Sequence, residues 1–153
     1  MRYALALMLG VTLVGVAYAQ SAGGWRLDER FATMKMAIID IERAESKATH
    51  AFIRCYRGKQ LDAVVIVGPQ LAGRMAPVRY RFDDGEWQRG TWQTTAGGDG
   101  AFADDTRAFA QQLVAHARLS FEAQGDDGVM HAVEIPLQGA RAPIEHVLAA
   151  CGG

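Results

Sequence analysis

The sequence has no block of basic residues and almost no net charge. Its 153 residues include 16 Lys and Arg against 17 Asp and Glu, which gives a formal net charge of −1. Nucleic acids and anionic membrane surfaces attract proteins that cluster lysine and arginine on one face. The sequence therefore predicts that neither is a partner.

Cysteine is scarce and the common catalytic motifs are missing. The chain has two cysteines and four histidines, and none of them shows the short spacing of a metal site. No serine lies in a nucleophile elbow, and no glycine-rich loop carries the lysine that a phosphate-binding loop needs. We therefore predict no catalytic residue, no metal and no cofactor, and expect a non-enzymatic protein.

The N-terminal segment has the pattern of a secretory signal peptide. Arg2 is followed by an apolar run from Ala4 to Val16, and the tripeptide 17–19 supplies a small-x-small cleavage site. An anchor helix is the weaker alternative, because the run is shorter than the roughly 20 residues that span a bilayer. We expect residues 1–19 to be removed and residues 20–153 to form one exported domain, which is periplasmic in a bacterium and not membrane-embedded.

The two cysteines are predicted to form a disulfide. Alternation in the segment THAFIRC places Ile53 and Cys55 on one face of a strand. Near the C-terminus, Ile144, Val147 and Cys151 fall on one apolar face at helical spacing. Both thiols should thus point into a core, and an even pair in an oxidising compartment favours a bridge. Two buried free thiols are the alternative.

The fold expected from the hydrophobic pattern is mainly β, of the α+β kind. Residues 31–48 satisfy both helical spacing and alternation; we favour a strand because two clear strand patterns follow closely. A helix should begin after Asp104-Asp105 and reach Ala115, and a second should lie at the C-terminus. The expected architecture is an antiparallel sheet or sandwich of about eight strands with two short helices.

The segment YRFDDGEW, residues 80–87, predicts the tight end of a hairpin. Asp84-Gly85 is among the strongest signals for a two-residue turn, because both positions favour positive φ. That register places Phe82 opposite Trp87 as an aromatic pair, with Trp87 in the core.

The same register sets two carboxylates, Asp83 and Glu86, against each other. Arg81 is the nearest group that could neutralise them; a cation or a partner protein are the other possibilities. A calcium site is less favoured, since the stretch supplies too few oxygens, and a glycosidase-type pair is less favoured because turn carboxylates are solvated.

A mixture of arginine and tryptophan around this hairpin is typical of an interaction surface. Trp92 is placed on the outward face with the arginines, although a core position is an equal alternative. The candidate binding patch comprises Arg74, Arg79, Arg81, Asp83, Glu86, Gln88 and Trp92.

The order of several motifs resembles the VasI-type family, exported proteins associated with type VI secretion. The matching pieces are IRCYRGK, VRYRFDDGEW, GGDGAFADD, FAQQL and a terminal AACG, and they span about residues 48–152. The resemblance implies paired cysteines, a mostly β domain and an accessory, non-enzymatic role.

The function expected from these observations is that of a periplasmic accessory protein that binds another cell-envelope protein, in association with type VI secretion. An alternative is an inhibitor or immunity protein that blocks a periplasmic hydrolase or toxin. A third possibility is an enzyme or carbohydrate-binding protein that uses the acidic hairpin tip.

Overall fold

The computed structural model describes residues 24–31, 34–43 and 46–152. The expected signal peptide, residues 1–19, lies outside the described residues. The described residues form nine strands and two helices. In chain order these are β1 (Trp25–Phe31), β2 (Met34–Arg43), β3 (Ser46–Tyr56), β4 (Gln60–Ile66), β5 (Met75–Phe82), β6 (Gln88–Thr94), β7 (Gly100–Phe102), α1 (Thr106–Ala115), β8 (Arg118–Gln124), β9 (Met130–Pro136) and α2 (Arg141–Ala150).

All nine strands belong to one antiparallel sheet with the order β1-β2-β3-β4-β7-β6-β5-β8-β9. The sheet is strongly curved, since Trp25 in the first strand donates from Nε1 to the carbonyl oxygen of Pro136 in the last strand at 2.8 Å. In a flat sheet the two outer strands would lie roughly 38 Å apart, at about 4.8 Å per strand. The inner face therefore wraps around a core.

The core lies between this inner face and the two helices. Residues of the sheet point inward at alternate positions in β8, where Leu119 and Phe121 are fully buried. On α1, Leu113 is fully buried; on α2, Ile144 and Val147 are. Burying one such side chain stabilises the fold by about 1.5–3 kcal/mol, so the helices are held mainly by their apolar faces.

The predicted disulfide between Cys55 and Cys151 is confirmed. It joins β3 to the residue after α2, with the two Cα atoms 5.4 Å apart. Arg107 of α1 donates from Nη2 to the carbonyl oxygens of Cys151 and Gly152, at 3.4 and 3.3 Å. Both the covalent bond and these hydrogen bonds hold the C-terminal end of α2 against the rest of the domain.

The predicted fold class is confirmed, as is the strand interpretation of the segment 31–48, whose described residues belong to the end of β1, to β2 and to the start of β3. The predicted cap of α1 is also present: the Asp105 carboxylate accepts a hydrogen bond from the Ala108 amide at 3.0 Å. The three-residue strand β7 was not predicted, because it lies in a segment read as a glycine-rich connection. It carries much of the topology, since it joins β4 to β6.

Candidate functional site

The turn after β5 differs from the predicted one by one residue. The Gly85 amide donates to the Phe82 carbonyl at 3.0 Å, which makes Asp83 and Asp84 the central residues. Asp83 has a φ of 51°, a left-handed conformation that aspartate tolerates better than most residues. The predicted turn centred on Asp84-Gly85 is therefore wrong, and so is the pairing of Phe82 with Trp87.

Contacts of the Asp83 side chain explain this turn. Its Oδ1 accepts hydrogen bonds from the amides of Ala117 and Arg118, both at 3.0 Å, and its Oδ2 lies 2.8 Å from Nδ1 of His116. The hydrogen bond with His116 lowers the pKa of Asp83 most; desolvation opposes this, and the two amides lower it further. His116 and two backbone amides thus bind the Asp83 carboxylate, and Arg81, one of the groups considered for that role, forms no ion pair with it.

The other acidic residues of the tip are solvent-exposed. Asp84 accepts from Nη2 of Arg118 at 2.8 Å with its side chain 91% exposed. Glu86 is exposed and has no ion-pair partner among the described residues. Within the described ranges, no three His, Cys, Asp or Glu residues could hold a metal together. The tip therefore has a structural role, in which Asp83 ties it to the connection between α1 and β8.

The two tryptophans of this hairpin lie on opposite faces of the sheet. Trp92 is only 3% exposed and packs in the core against Tyr80, Phe109 and Phe121, with each of these ring centroids 5.2 Å from its own. Of the two positions left open for Trp92 the core position is observed, so its inclusion in the outward binding patch is wrong. Trp87, expected in the core, is partly exposed and contacts outward arginines.

Trp87 lies between two arginines on the outer face of the sheet. The guanidinium carbons of Arg79 and Arg81 lie 5.0 and 4.8 Å from its ring centroid, within cation–π range. Arg79 also donates from Nε to Glu122 at 2.6 Å. Arg89 pairs directly with Arg79 across the two strands. We call Arg79, Arg81, Trp87 and Arg89 the arginine–tryptophan surface.

Two of its arginines have no carboxylate partner in the part of the chain that the structure describes. Arg81 makes no ion pair with any described residue, and its Nε is buried without a hydrogen-bond partner there. Arg89 is exposed and likewise forms no ion pair within the described ranges. Positive charge therefore faces outward beside the tryptophan, with Glu122 compensating only Arg79.

The remaining residues of the predicted patch lie elsewhere. Gln88 pairs with Tyr80, so it shares the inner face and not the face of the arginines. Arg74 is exposed in the connection before β5, where its carbonyl accepts from the Thr94 amide at 2.9 Å. Since an extended strand rises about 3.3 Å per residue, Arg74 lies roughly 17 Å from Arg79. Two of the seven predicted patch residues, Arg79 and Arg81, thus lie together on the outward face.

Comparison with known proteins gives a structural similarity only. The crystal structure of invasion associated protein B from Bartonella henselae superposes with a TM-score of 0.59 at 11% identity, covering 83% of this chain and 93% of that one. No family model matches the sequence, and no curated protein sequence is similar to it. The similarity concerns the fold.

No helix in the described part of the chain is long and apolar enough to cross a membrane.

Proposed function

We propose that this protein is an exported, non-enzymatic binding protein of the cell envelope and that it contacts its partner through the arginine–tryptophan surface. The observation that carries the proposal is Trp87, held on the outer face between Arg79 and Arg81. Tryptophan and arginine are the residues most enriched at energetic hot spots of interfaces.

Core packing gives no reason for this arrangement. Trp87 contacts the outer side of the sheet, whereas the aromatic core on the inner side is complete with Trp92. Stacking on Trp87 pre-orders the guanidinium groups of Arg79 and Arg81, so less side-chain entropy is lost when they bind carboxylates. The partner we propose is therefore a protein that presents acidic side chains around an apolar recess.

Export is supported by the bond between Cys55 and Cys151, because disulfides persist in oxidising compartments. The signal-peptide pattern of residues 1–19 points the same way. The structural neighbour is named an invasion associated protein, and such a role would also need export. Association with type VI secretion stays a prediction.

The test compares matched variants of the surface. The purified protein is immobilised and exposed to the envelope fraction of its source cell, and each captured protein is then purified and its Kd measured. We expect Trp87→Ala or Arg81→Ala to weaken binding at least about tenfold, which corresponds to a hot-spot loss of about 1.4 kcal/mol. Lys59→Ala, an exposed cation in the turn after β3, is the control and should bind as the wild type does.

Equal affinity of the Trp87→Ala variant and the wild type for every captured protein would refute the proposal. Binding should also weaken as salt is raised, because exposed arginine contacts are screened. The nature of the partner separates two roles: a captured hydrolase that loses activity on binding identifies an inhibitor, and a partner with unchanged activity identifies an accessory protein.

A further inference from the structure

A small cavity lies on the inner side of the sheet, and Arg89 of the arginine–tryptophan surface also contributes to its lining. It has a volume of about 190 Å³ and opens between β5, β6 and the start of α1. Its walls include the aromatic side chains of Tyr80, Trp92 and Phe109, and Asp104 stands at the helix end. A recess with apolar walls and a few polar groups is the usual form of a small-molecule site.

The indole N–H of Trp92 is an unused donor at this cavity. The residue is 97% buried, given its 3% exposure, yet its Nε1 has no hydrogen-bond partner among the described residues. Gly90 leaves this group uncovered, since a Cβ at that position would lie 3.3 Å from Nε1. Nε1 is not among the fully buried side-chain atoms without a partner in the described part of the chain, so a ligand atom that accepts a hydrogen bond can reach it from the cavity.

The other polar residues of the lining are Tyr80, Gln88, Arg89, Asp104 and Asp105. The Tyr80 hydroxyl has no hydrogen-bond partner in the described part of the chain, and its pKa is raised by burial and then by the charges of Asp104 and Asp105. The hydroxyl therefore stays protonated and able to donate. Asp105 is occupied as the cap of α1, whereas the exposed carboxylate of Asp104 has no partner within the described ranges. The cavity thus combines two unused donors with one unused carboxylate.

We propose that this cavity binds a single sugar ring, such as the terminal residue of a glycan. Hydroxyl groups both donate and accept, so one ring can satisfy the Trp92 N–H, the Tyr80 hydroxyl and the Asp104 carboxylate together. Two acidic residues, Asp104 and Asp105, and one basic residue, Arg89, line the cavity, so an anion is disfavoured. A simple cation would leave the indole N–H of Trp92 without an acceptor. The volume is below the roughly 300–1,000 Å³ of sites for drug-sized ligands, which limits the occupant to about one ring.

The test follows the indole N–H of Trp92 by NMR while the purified, ¹⁵N-labelled protein is titrated. The probes are glucose, galactose and N-acetylglucosamine, with choline chloride and sodium acetate as the cationic and anionic alternatives. Loss of one indole signal in Trp92→Phe assigns the resonance. We expect at least one sugar to shift it saturably while the indole signal of Trp87 stays in place.

Two variants connect the shift to the cavity. Gly90→Ala fills the space beside Nε1, and Asp104→Asn removes an exposed charge without touching the helix cap. Each should weaken sugar binding at least about fivefold, equivalent to about 1 kcal/mol. Thr91→Ala, on the opposite face of β6, is the control and should bind normally.

Several outcomes would overturn the proposal. They are a Trp92 resonance that no sugar moves, saturation by choline or acetate in place of sugar, or unchanged sugar affinity in both Gly90→Ala and Asp104→Asn. These results are independent of protein capture by the arginine–tryptophan surface, so either proposal can fail without the other.

Discussion

Replacing Cys55 by serine should remove a large part of the stability of this domain. The disulfide closes a segment with a sequence separation of 96 residues, and the chain-entropy model assigns a loop of about that length roughly 4.7 kcal/mol at 25 °C. Cys55 is only 1% exposed, so the serine hydroxyl would also be placed among apolar side chains. We therefore expect Cys55→Ser to lower the free energy of unfolding by about 4 kcal/mol, within the roughly 2–5 kcal/mol that removal of a native disulfide costs.

Thermal denaturation in an oxidising buffer provides the measurement. The described ranges cover about 125 residues, and an unfolding entropy of about 2.1 cal/mol/K per residue gives about 0.26 kcal/mol/K for the domain. A loss of 4 kcal/mol then corresponds to a decrease in Tm of about 15 °C. The double variant Cys55→Ala, Cys151→Ala separates the loss of the bond from the effect of the buried hydroxyl.

Reductant supplies the internal control. Dithiothreitol should bring the Tm of the wild type close to that of the double variant and leave the double variant unchanged. A Tm of Cys55→Ser within about 3 °C of the oxidised wild type, less than 1 kcal/mol, would refute the reasoning. Titration of two free thiols in the unfolded, unreduced protein would refute the bridge itself.

Three further predictions concern the hairpin and α1. Trp92→Ala should lower the free energy of unfolding by about 3–5 kcal/mol, as for other buried aromatic residues, whereas Trp87→Ala on the outer face should lower it by less than about 1.5 kcal/mol. Urea denaturation of both variants measures the difference. Equal losses would contradict the assignment of the two tryptophans to opposite faces. Asp105→Ala should cost about 1 kcal/mol because it removes the cap of α1, and an unchanged urea midpoint would show that the cap contributes nothing. The pKa of Asp83 is lowered in the folded protein, so this carboxylate stabilises the fold above the ordinary aspartate pKa, and the stabilisation is lost as the pH falls through and below that value. Asp83→Asn should therefore flatten the acidic part of the curve of unfolding free energy against pH. A curve identical to that of the wild type would exclude a contribution of Asp83 to this pH dependence.

The helix α1 and the strand β8 could be predicted from the sequence because capping and periodicity involve residues that are close together in the chain. The helix α1 has an aspartate cap followed by apolar residues at i, i+4, and Phe109 and Leu113 of that pattern are buried. Alternation over residues 118–124 matches β8 as it is observed. The strand β7 was not predicted, because three residues are too few to show a recognisable alternation of apolar and polar side chains.

The faces occupied by the two tryptophans of the hairpin could not be predicted from local patterns. Trp87 and Trp92 are five positions apart, so in a continuous strand they must lie on opposite faces. Which one points inward depends on the length of the turn before them, and a change of one residue reverses both. Asp84-Gly85 is a strong local turn signal, yet the observed turn is centred on Asp83 and Asp84.

The mainly β fold, the two helices and the cysteine pair follow from local patterns, because periodicity, capping and apolar faces act between neighbours in the chain. The register of the hairpin depends on contacts between residues that are distant in the chain. Its determinants are the contacts of Asp83 with His116, Ala117 and Arg118, which lie 33 to 35 positions away. Those contacts turn Trp87 outward between two arginines and Trp92 inward to the cavity, so both proposed binding sites depend on interactions that no local pattern records.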